Sequence, residues 1–207
     1  LGRAQQVAGR AFARATVKEE RVAFLGDSIT QAGASPGGYV DQLRKCLLAA
    51  RPEAAVIPAG ISGHKVPDLL RRYRSDVIDK KATKVFLYIG INDVWHSEQG
   101  RGTPIAEYEA GLRKLVRDLK ESGASVVLAT PTVIGEKRRG ENPLDGMLDR
   151  FAHVSRTVAA EEGAVLCDLR QAFGLYLDVF NPENRTKGIL TTDGVHLTPL
   201  GNQLVAL

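Results

Sequence analysis

Residues Arg21–Gly26 read RVAFLG, and they are followed at once by Asp27–Thr30, which reads DSIT. A short apolar run that ends in glycine is typical of a strand buried on both faces of a parallel sheet. We interpret later runs of the same kind as further strands, at Ala54–Ile57, Lys84–Ile89, Ser125–Ala129 and Ala164–Cys167. The first strand therefore predicts a sheet whose carboxyl edge lies beside a serine.

Between the predicted strands, apolar residues recur at the spacing of amphipathic helices. The predicted helices are Tyr39–Ala50, Pro67–Ile78, Ile105–Leu119, Met147–Val158 and a last one that opens at Thr198-Pro199. Thr103 is expected to cap the third of them, with Pro104 at its first position. Strands that alternate with helices favour parallel strands joined by crossovers. We therefore predict a three-layer α/β/α sandwich around a five-stranded parallel sheet.

The length and composition fit one soluble globular domain. The chain has 207 residues, of which 43% are hydrophobic and 25% charged, and these values exclude a disordered or collagen-like protein. We expect residues 1–207 to form a single domain, with residues 1–18 as an N-terminal arm or helix. No run of about 18 apolar residues occurs, so no membrane span is expected. The compartment stays open between the cytoplasm and export with an upstream signal already removed.

The net charge of +4 does not indicate a nucleic-acid-binding protein. Basic residues are scattered apart from two short clusters, Arg71–Arg74 and Lys137–Arg139, and no recognised binding module accompanies them. Cys46 and Cys167 lie far apart among apolar residues, which predicts buried thiols rather than a disulfide scaffold or metal ligands. No phosphate loop, dinucleotide motif or zinc signature occurs, so neither a metal nor a cofactor is expected.

Residues able to support acyl transfer follow several of the predicted strands. Ser28 follows the first strand, Gly60 the second and Asn92 the third. Asp193 and His196 lie just before the last helix. Ligands of such sheets bind beyond the carboxyl ends of the strands, so we expect these residues to converge at that edge.

Together these residues can fill every role in serine-dependent acyl transfer. Ser28 is the candidate nucleophile, His196 the base that takes its proton, and Asp193 the carboxylate that orients the histidine. One loop can present both Asp193 and His196, because they are three residues apart. The developing oxyanion needs fixed donors, and the candidates are the amides of Ser28 and Gly60 and the side chain of Asn92.

Four motifs, taken in order, resemble the SGNH hydrolases, also called the GDSL-type esterases and lipases. They are Gly26-Asp27-Ser28-Ile29, the single glycine Gly60, Gly90-Ile91-Asn92-Asp93 and Asp193-Gly194-Val195-His196. The resemblance covers about residues 20–205 and implies a flavodoxin-like topology. Two positions depart from the family pattern: Pro58 stands where asparagine is frequent, and His64 where an acidic residue is frequent. We expect these departures to change a loop and the pocket rather than the reaction.

The resemblance implies a serine esterase that hydrolyses carboxylic esters of short acyl groups, with deacetylation of a carbohydrate as the leading expectation. The partner would then be a small-molecule ester or an acylated carbohydrate, and the oligomeric state is left open. A lipase or lysophospholipase, a thioesterase, and an acyltransferase with the same triad are the enzymatic alternatives. A non-catalytic, flavodoxin-like binding module is the remaining class, and it predicts that the reactive residues need not meet.

Other residues compete for the roles of nucleophile and base. Ser35 lies in Gly33–Gly37, which fits the nucleophile-elbow pattern, but this segment is a Gly/Pro-rich loop some distance beyond the first strand. We therefore interpret Ser35 as a turn or cap residue. His64 and His96 also follow strands, and they are alternative bases whose favoured interpretation is pocket lining.

The neighbours of the candidate residues have expected roles of their own. Asp27 and Asp93 are interpreted as structural carboxylates that hold the loops around the site. Trp95, close to Asn92, is expected to form part of the pocket wall. The segment Ile134–Pro143 is interpreted as a solvated, mobile loop, and the alternative is a contact with an anionic or sugar substrate.

Overall fold

Five parallel strands form one sheet in the order β2-β1-β3-β4-β5, which confirms the predicted architecture. The strands are β1 (Arg21–Gly26), β2 (Ala55–Gly60), β3 (Lys84–Tyr88), β4 (Ser125–Ala129) and β5 (Val165–Cys167). The protein is represented by a computed structural model that describes residues 19–207. The predicted N-terminal arm or helix at residues 1–18 lies outside the described residues.

Helices cover both faces of the sheet. They are α1 (Ser28–Gly33), α2 (Tyr39–Ala50), α3 (Val66–Tyr73), α4 (Ile91–Trp95), α5 (Ile105–Glu121), α6 (Asp145–Glu161), α7 (Leu169–Phe180) and α8 (Pro199–Ala206). Helix α5 contacts α3 and α6 in one layer, and α8 contacts α2 and α7 in the other. The chain therefore forms three layers, with its apolar core on both sides of the sheet.

Strand β2 is longer than the sequence indicates. It begins at Ala55 and stays paired with β1 as far as the Gly26–Gly60 pair, so Gly60 ends the strand instead of following it. Pro58 breaks the apolar pattern, yet it fits within the strand because β2 lies at the edge of the sheet. This extension places Gly60 beside the start of α1.

Two glycines let the ends of the strands approach α1 closely. A Cβ atom added to Gly60 would lie 2.2 Å from the backbone nitrogen of Gln31, and one added to Gly26 would lie 2.2 Å from Thr30 Oγ1. Real side chains do not tolerate contacts this short. These positions therefore require glycine, so that β1 and β2 can converge on the serine at the start of α1.

The helices differ from the predictions in several places. Helix α5 begins at Ile105 with Pro104 before it, so Thr103 does not cap it. Helix α3 begins at Val66 and ends at Tyr73, where a wider helical turn, Arg74–Ile78, follows directly. Helix α7 was not predicted at all, although Asp168 caps it through a side-chain bond from the Gln171 amide.

The predicted burial of the two cysteines is wrong for Cys46, which is exposed, while Cys167 is half-buried. Helix α2 buries only the residues of its first turn, Tyr39–Asp41, and Cys46 lies further along the helix. Within residues 19–207, no helix combines the length and apolar composition needed to span a bilayer.

Candidate active site

Ser28 is the first residue of α1, in a direct strand-to-helix turn after β1. Asp27 caps this helix, because its Oδ1 atom accepts a hydrogen bond of 2.9 Å from the Ile29 amide. The structural role expected for Asp27 therefore agrees with the geometry. The cap leaves the Ser28 hydroxyl available for another partner.

The Ser28 hydroxyl meets His196 across the carboxyl edge of the sheet. Ser28 Oγ lies 2.9 Å from His196 Nε2, and His196 Nδ1 lies 2.7 Å from Asp193 Oδ2. An ionised carboxylate only accepts hydrogen bonds, so Nδ1 carries the proton in the neutral ring and Nε2 accepts from Ser28. The distance is within the range expected of a nucleophile and its base.

Asp193 uses its two carboxylate oxygens for two different tasks. Oδ2 orients the ring of His196, while Oδ1 accepts from the backbone amides of Val195 (2.9 Å) and His196 (2.8 Å). Partial burial raises the pKa of Asp193, but the hydrogen bonds from His196 and Val195 outweigh it and hold the pKa below its ordinary value. Asp193 is therefore an anion at neutral pH.

The loop that carries Asp193 and His196 is closed at its base. An antiparallel bridge pairs Thr191 with Leu197, and the Thr192 amide donates to the His196 carbonyl at 2.7 Å. Gly194 has a φ of +101°, a conformation that favours glycine. These features bend the loop so that both side chains face the same direction.

Glu136 ties this loop to the segment after β4, although no sequence pattern pointed to this residue. Its carboxylate is fully buried and accepts from the amides of Ile189 (2.9 Å), Leu190 (2.8 Å) and Thr191, and from the Thr191 hydroxyl (2.7 Å). The expectation of a solvated, mobile loop at Ile134–Pro143 is therefore wrong at Glu136, which is buried and holds this segment to residues 189–191. A glutamate in a basic, glycine-rich stretch gives no sequence signal of burial.

Asn92 and Gly60 lie at the same edge of the sheet as Ser28, because their strands flank β1. Asn92 is 3% exposed, at the start of α4, and its Nδ2 atom donates to the His64 carbonyl at 3.1 Å. Asp93 accepts from the Val66 amide at 3.1 Å and so holds the start of α3, as expected. Burial raises the pKa of Asp93 to about 6. Every residue proposed from the sequence therefore lies at this edge of the sheet.

The rival residues do not occupy equivalent positions. Among residues 19–207, Ser35 forms no hydrogen bond with a histidine, and its carbonyl accepts from the Gly38 amide in a tight turn. His64 Nδ1 accepts from Arg72 Nε at 3.0 Å, and burial followed by the Arg72 charge lowers the pKa of His64. Burial followed by the Arg101 charge lowers the pKa of His96. His196 is thus the histidine that contacts Ser28.

A cleft of about 380 Å³ lies next to the loop that carries the candidate base, and Asp193 and Val195 are among its lining residues. The indole of Trp95 packs edge-on to the His196 ring, with the centroids 6.2 Å apart, and also lines the cleft, as predicted. Ile134, Lys137 and Lys187 also line the cleft. Segment Ile134–Pro143 therefore contributes directly to the space beside the candidate site.

Asp27 should make stability depend on pH, because burial raises its pKa to about 7. In the unfolded chain the same carboxyl group titrates near about 3.9. Between these two values the folded protein retains a proton that the unfolded chain has lost, so stability falls as the pH rises through this window and Asp27 causes no further change above it. Asp27→Asn removes the ionisation. Its free energy of unfolding, relative to wild type, should therefore increase by up to about 4 kcal/mol between about pH 4 and pH 8.

Urea unfolding of both proteins across this range measures the effect. Asp41→Asn is a matched control of opposite sign: Lys45, the Gly37 amide and Arg44 hold the pKa of Asp41 below its ordinary value. Asp41 therefore stabilises the protein above the unfolded pKa, and this contribution is lost as the pH falls. Parallel profiles for wild type and Asp27→Asn would contradict a raised pKa at Asp27.

Comparisons with known proteins agree with the geometry. Residues 24–204 match the model of the GDSL-like lipase/acylhydrolase family. An acetylxylan esterase from Geobacillus stearothermophilus is 32% identical, with 90% of each chain covered. An isoamyl acetate-hydrolyzing esterase from Schizosaccharomyces pombe is 25% identical over 89% of this chain and 71% of that protein.

Solved structures of esterases are also similar to this chain. The crystal structure of the acetyl xylan esterase AlAXEase superposes with a TM-score of 0.87 at 39% identity, and covers 90% of this chain and 96% of that one. The acetylxylan esterase Axe2 from Geobacillus stearothermophilus has a TM-score of 0.78 at 33% identity, with 90% of each chain covered.

Proposed function

The chain belongs to the GDSL-like lipase/acylhydrolase family, whose members act on carboxylic esters, and we propose that it uses Ser28, His196 and Asp193 to remove acetyl groups from a carbohydrate. The observation that carries the proposal is the continuous chain of hydrogen bonds from the Ser28 hydroxyl through His196 to Asp193. A binding module would have no need of this arrangement.

In the first half of the reaction, Ser28 Oγ attacks the ester carbonyl while His196 Nε2 takes the hydroxyl proton. The ionised Asp193 stabilises the imidazolium that forms. The carbonyl oxygen becomes an oxyanion, and the amides of Ser28 and Gly60 and the Asn92 side chain donate to it. When the tetrahedral intermediate collapses, His196 gives its proton to the departing alcohol, and the acyl group stays on Ser28.

In the second half, a water molecule replaces the alcohol. His196 takes a proton from the water, and the resulting hydroxide attacks the acyl carbonyl of the Ser28 ester. The same donors stabilise the second oxyanion. Collapse returns the proton to Ser28 Oγ and releases the carboxylic acid, so the enzyme is regenerated and one water is consumed for each ester.

Two observations support a carbohydrate as the alcohol component. The relatives named above include acetylxylan esterases, which share about a third of their residues with this chain over most of its length. The adjoining cleft has lysines and Asn142 in its lining beside the indole of Trp95. Aromatic faces with polar groups around them suit a hydroxylated ring better than a long acyl chain. This favours deacetylation over the lipase and lysophospholipase alternatives.

A panel of esters tests the proposal. Acetyl, butyryl and octanoyl p-nitrophenyl esters, together with acetylated xylooligosaccharides, are assayed for released acid, with Ser28→Ala as the inactive control. We expect the acetyl esters to have the highest kcat/KM, falling by about tenfold or more for butyryl. An added alcohol acceptor separates hydrolysis from acyl transfer. Preference for octanoyl, or ester formation with the acceptor instead of acetate release, would reject the proposal.

A further inference from the structure

The cleft beside the loop of the candidate base contains two lysines that no step of the reaction above uses. Lys137, which is half-buried, and Lys187, which is exposed, both line it. The other charged residue in this lining is Asp193, whose two oxygens already bind the His196 ring and backbone amides. The lysines therefore supply the positive charge of the cleft.

The cations next to these lysines in the chain are paired, whereas the lysines are not. Arg139 forms an ion pair with Asp149, and Arg185 forms one with Glu183; neither arginine lines the cleft. In the described part of the chain, no ion pair involves either lysine. Their charge is therefore available to a bound ligand.

The backbone that carries Lys137 is held from both sides. Asn142, which is 8% exposed, accepts from the Lys137 amide through Oδ1 and donates from Nδ2 to the Lys137 carbonyl, both at 3.2 Å. Gly135 has a φ of +92°, and a Cβ atom added there would lie 2.2 Å from Asn142 Oδ1. Glycine at this position therefore allows the carboxamide to clamp the lysine backbone.

The same segment is bonded to two other loops that line the cleft. The Gly135 amide donates to the Gly194 carbonyl at 2.8 Å, and the Glu136 amide donates to the Thr186 carbonyl at 2.9 Å. Gly194 belongs to the loop of the candidate base, and Thr186 directly precedes Lys187. The backbone of each lysine therefore has a fixed position relative to that base, as a built binding site requires.

The position of the cleft shows which part of the substrate enters it. Trp95 and Asp193 both line the cleft, and both contact the ring of His196, which gives its proton to the departing alcohol. An acetyl group is neutral and has only a methyl group beyond its carbonyl. An anionic group in the cleft therefore has to belong to the alcohol.

We propose that this cleft is an anion subsite, in which Lys137 and Lys187 bind a carboxylate or phosphate on the sugar whose acetyl ester is cleaved. The inference rests on the proposed deacetylation of a carbohydrate and narrows its substrate to acidic carbohydrates. Ammonium groups form charge-assisted hydrogen bonds with either anion. It also assigns a substrate contact to the segment Ile134–Pro143.

Matched substrates test the subsite. Methyl glucoside, methyl glucuronide, the neutral methyl ester of that glucuronide and a phosphorylated methyl glucoside, each acetylated on the same hydroxyl, share one ring and differ in charge. We expect at least one of the two anionic substrates to exceed both neutral ones in kcat/KM by about 5- to 20-fold, mainly through KM. The better anion identifies the ligand. Equal kcat/KM for all four would overturn the proposal.

Variants show whether the lysines cause this preference. Glutamine keeps an N–H donor and loses the charge, so Lys137→Gln/Lys187→Gln should bring the ratio of anionic to neutral kcat/KM close to one. Arg139→Gln/Arg185→Gln removes the same charge from the same two segments outside the cleft, and should keep the wild-type ratio. High salt should lower the ratio in wild type. A full preference in the lysine double variant would reject the subsite.

Inhibition of p-nitrophenyl acetate hydrolysis keeps this proposal apart from the proposed function. The preferred anionic methyl glycoside, without its acetyl group, should inhibit wild type at about 5- to 20-fold lower concentration than methyl glucoside, and the lysine double variant should not distinguish them. If wild type releases no acetate from any sugar, the proposed function fails, and this comparison still decides whether the cleft binds anions. Equal inhibition would overturn the subsite, while acetate release from the neutral sugars would leave the proposed function standing.

Discussion

Replacing Ser28 with alanine should lower kcat by about 10⁴- to 10⁶-fold in a protein that still folds. The Ser28 hydroxyl supplies the nucleophile, and its hydrogen bond in the structure is to His196, so alanine removes little else. His196→Ala should have an effect of similar size, because a serine without its base is a weak nucleophile. The double variant should be no worse than either single variant, since the two residues act as one unit.

Acetate release from p-nitrophenyl acetate, measured with thermal unfolding of each variant, checks this result. Ser35→Ala is the matched control, because Ser35 lies in the rival elbow pattern but in a tight turn of its own. It should keep wild-type turnover. Loss of activity in Ser35→Ala, with more than about a hundredth of wild-type activity left in Ser28→Ala, would transfer the nucleophile to Ser35.

Strands were the most predictable part of the fold, for a physical reason. β1 and β4 have the predicted bounds because they are buried inside the sheet, and burial on both faces leaves a continuous apolar run in the sequence. β2 was predicted to end too early, because Pro58 interrupts that run. Within a sheet, proline is acceptable only in an edge strand, and the residues of a strand do not themselves indicate whether it lies at the edge.

Helix α7 was missed because its apolar residues do not follow the spacing of an amphipathic helix clearly. Its buried residues Phe173 and Leu177 have helical spacing, but Leu175 and Val179 are more than half exposed. Apolar residues therefore occur on both the buried and the exposed side of the helix. The periodicity that identifies an amphipathic helix is lost when the outer face is also apolar.

The reacting residues of the candidate site could be predicted from the sequence, but the residues that hold the surrounding loops in place could not. Ser28, Asn92 and His196 occur in short motifs, because chemistry requires those side chains at fixed places after strands. Glu136 and Arg72 have partners that are distant in sequence: Glu136 binds residues about fifty positions later, and Arg72 reaches back to Gly26. Arg72 was interpreted as part of a short basic cluster, Arg71–Arg74. Only the folded chain shows that its guanidinium is nearly buried.

Asn92→Ala should lower kcat by about 10²- to 10³-fold, or about 2.7–4 kcal/mol, with little change in KM. The carboxamide is nearly buried at the end of β3, and one of its N–H groups is already held by the His64 carbonyl. The second N–H is left to donate to the oxyanion. Since this bond strengthens as charge develops, its loss should affect the chemical step more than the binding of substrate. Steady-state kinetics with p-nitrophenyl acetate measures both parameters.

Asn92→Asp distinguishes this role from that of a turn residue. Aspartate serves in turns nearly as well as asparagine, so a structural role predicts a mild effect. A carboxylate has no N–H to donate and would place negative charge where the oxyanion forms, so the catalytic role predicts a loss at least as large as that of Asn92→Ala. Ser28 should still react with a phosphonate probe in both variants, though more slowly, because His196 and Asp193 remain in place. Wild-type turnover in a folded Asn92→Asp protein would remove Asn92 from the mechanism and leave the two backbone amides as the only donors.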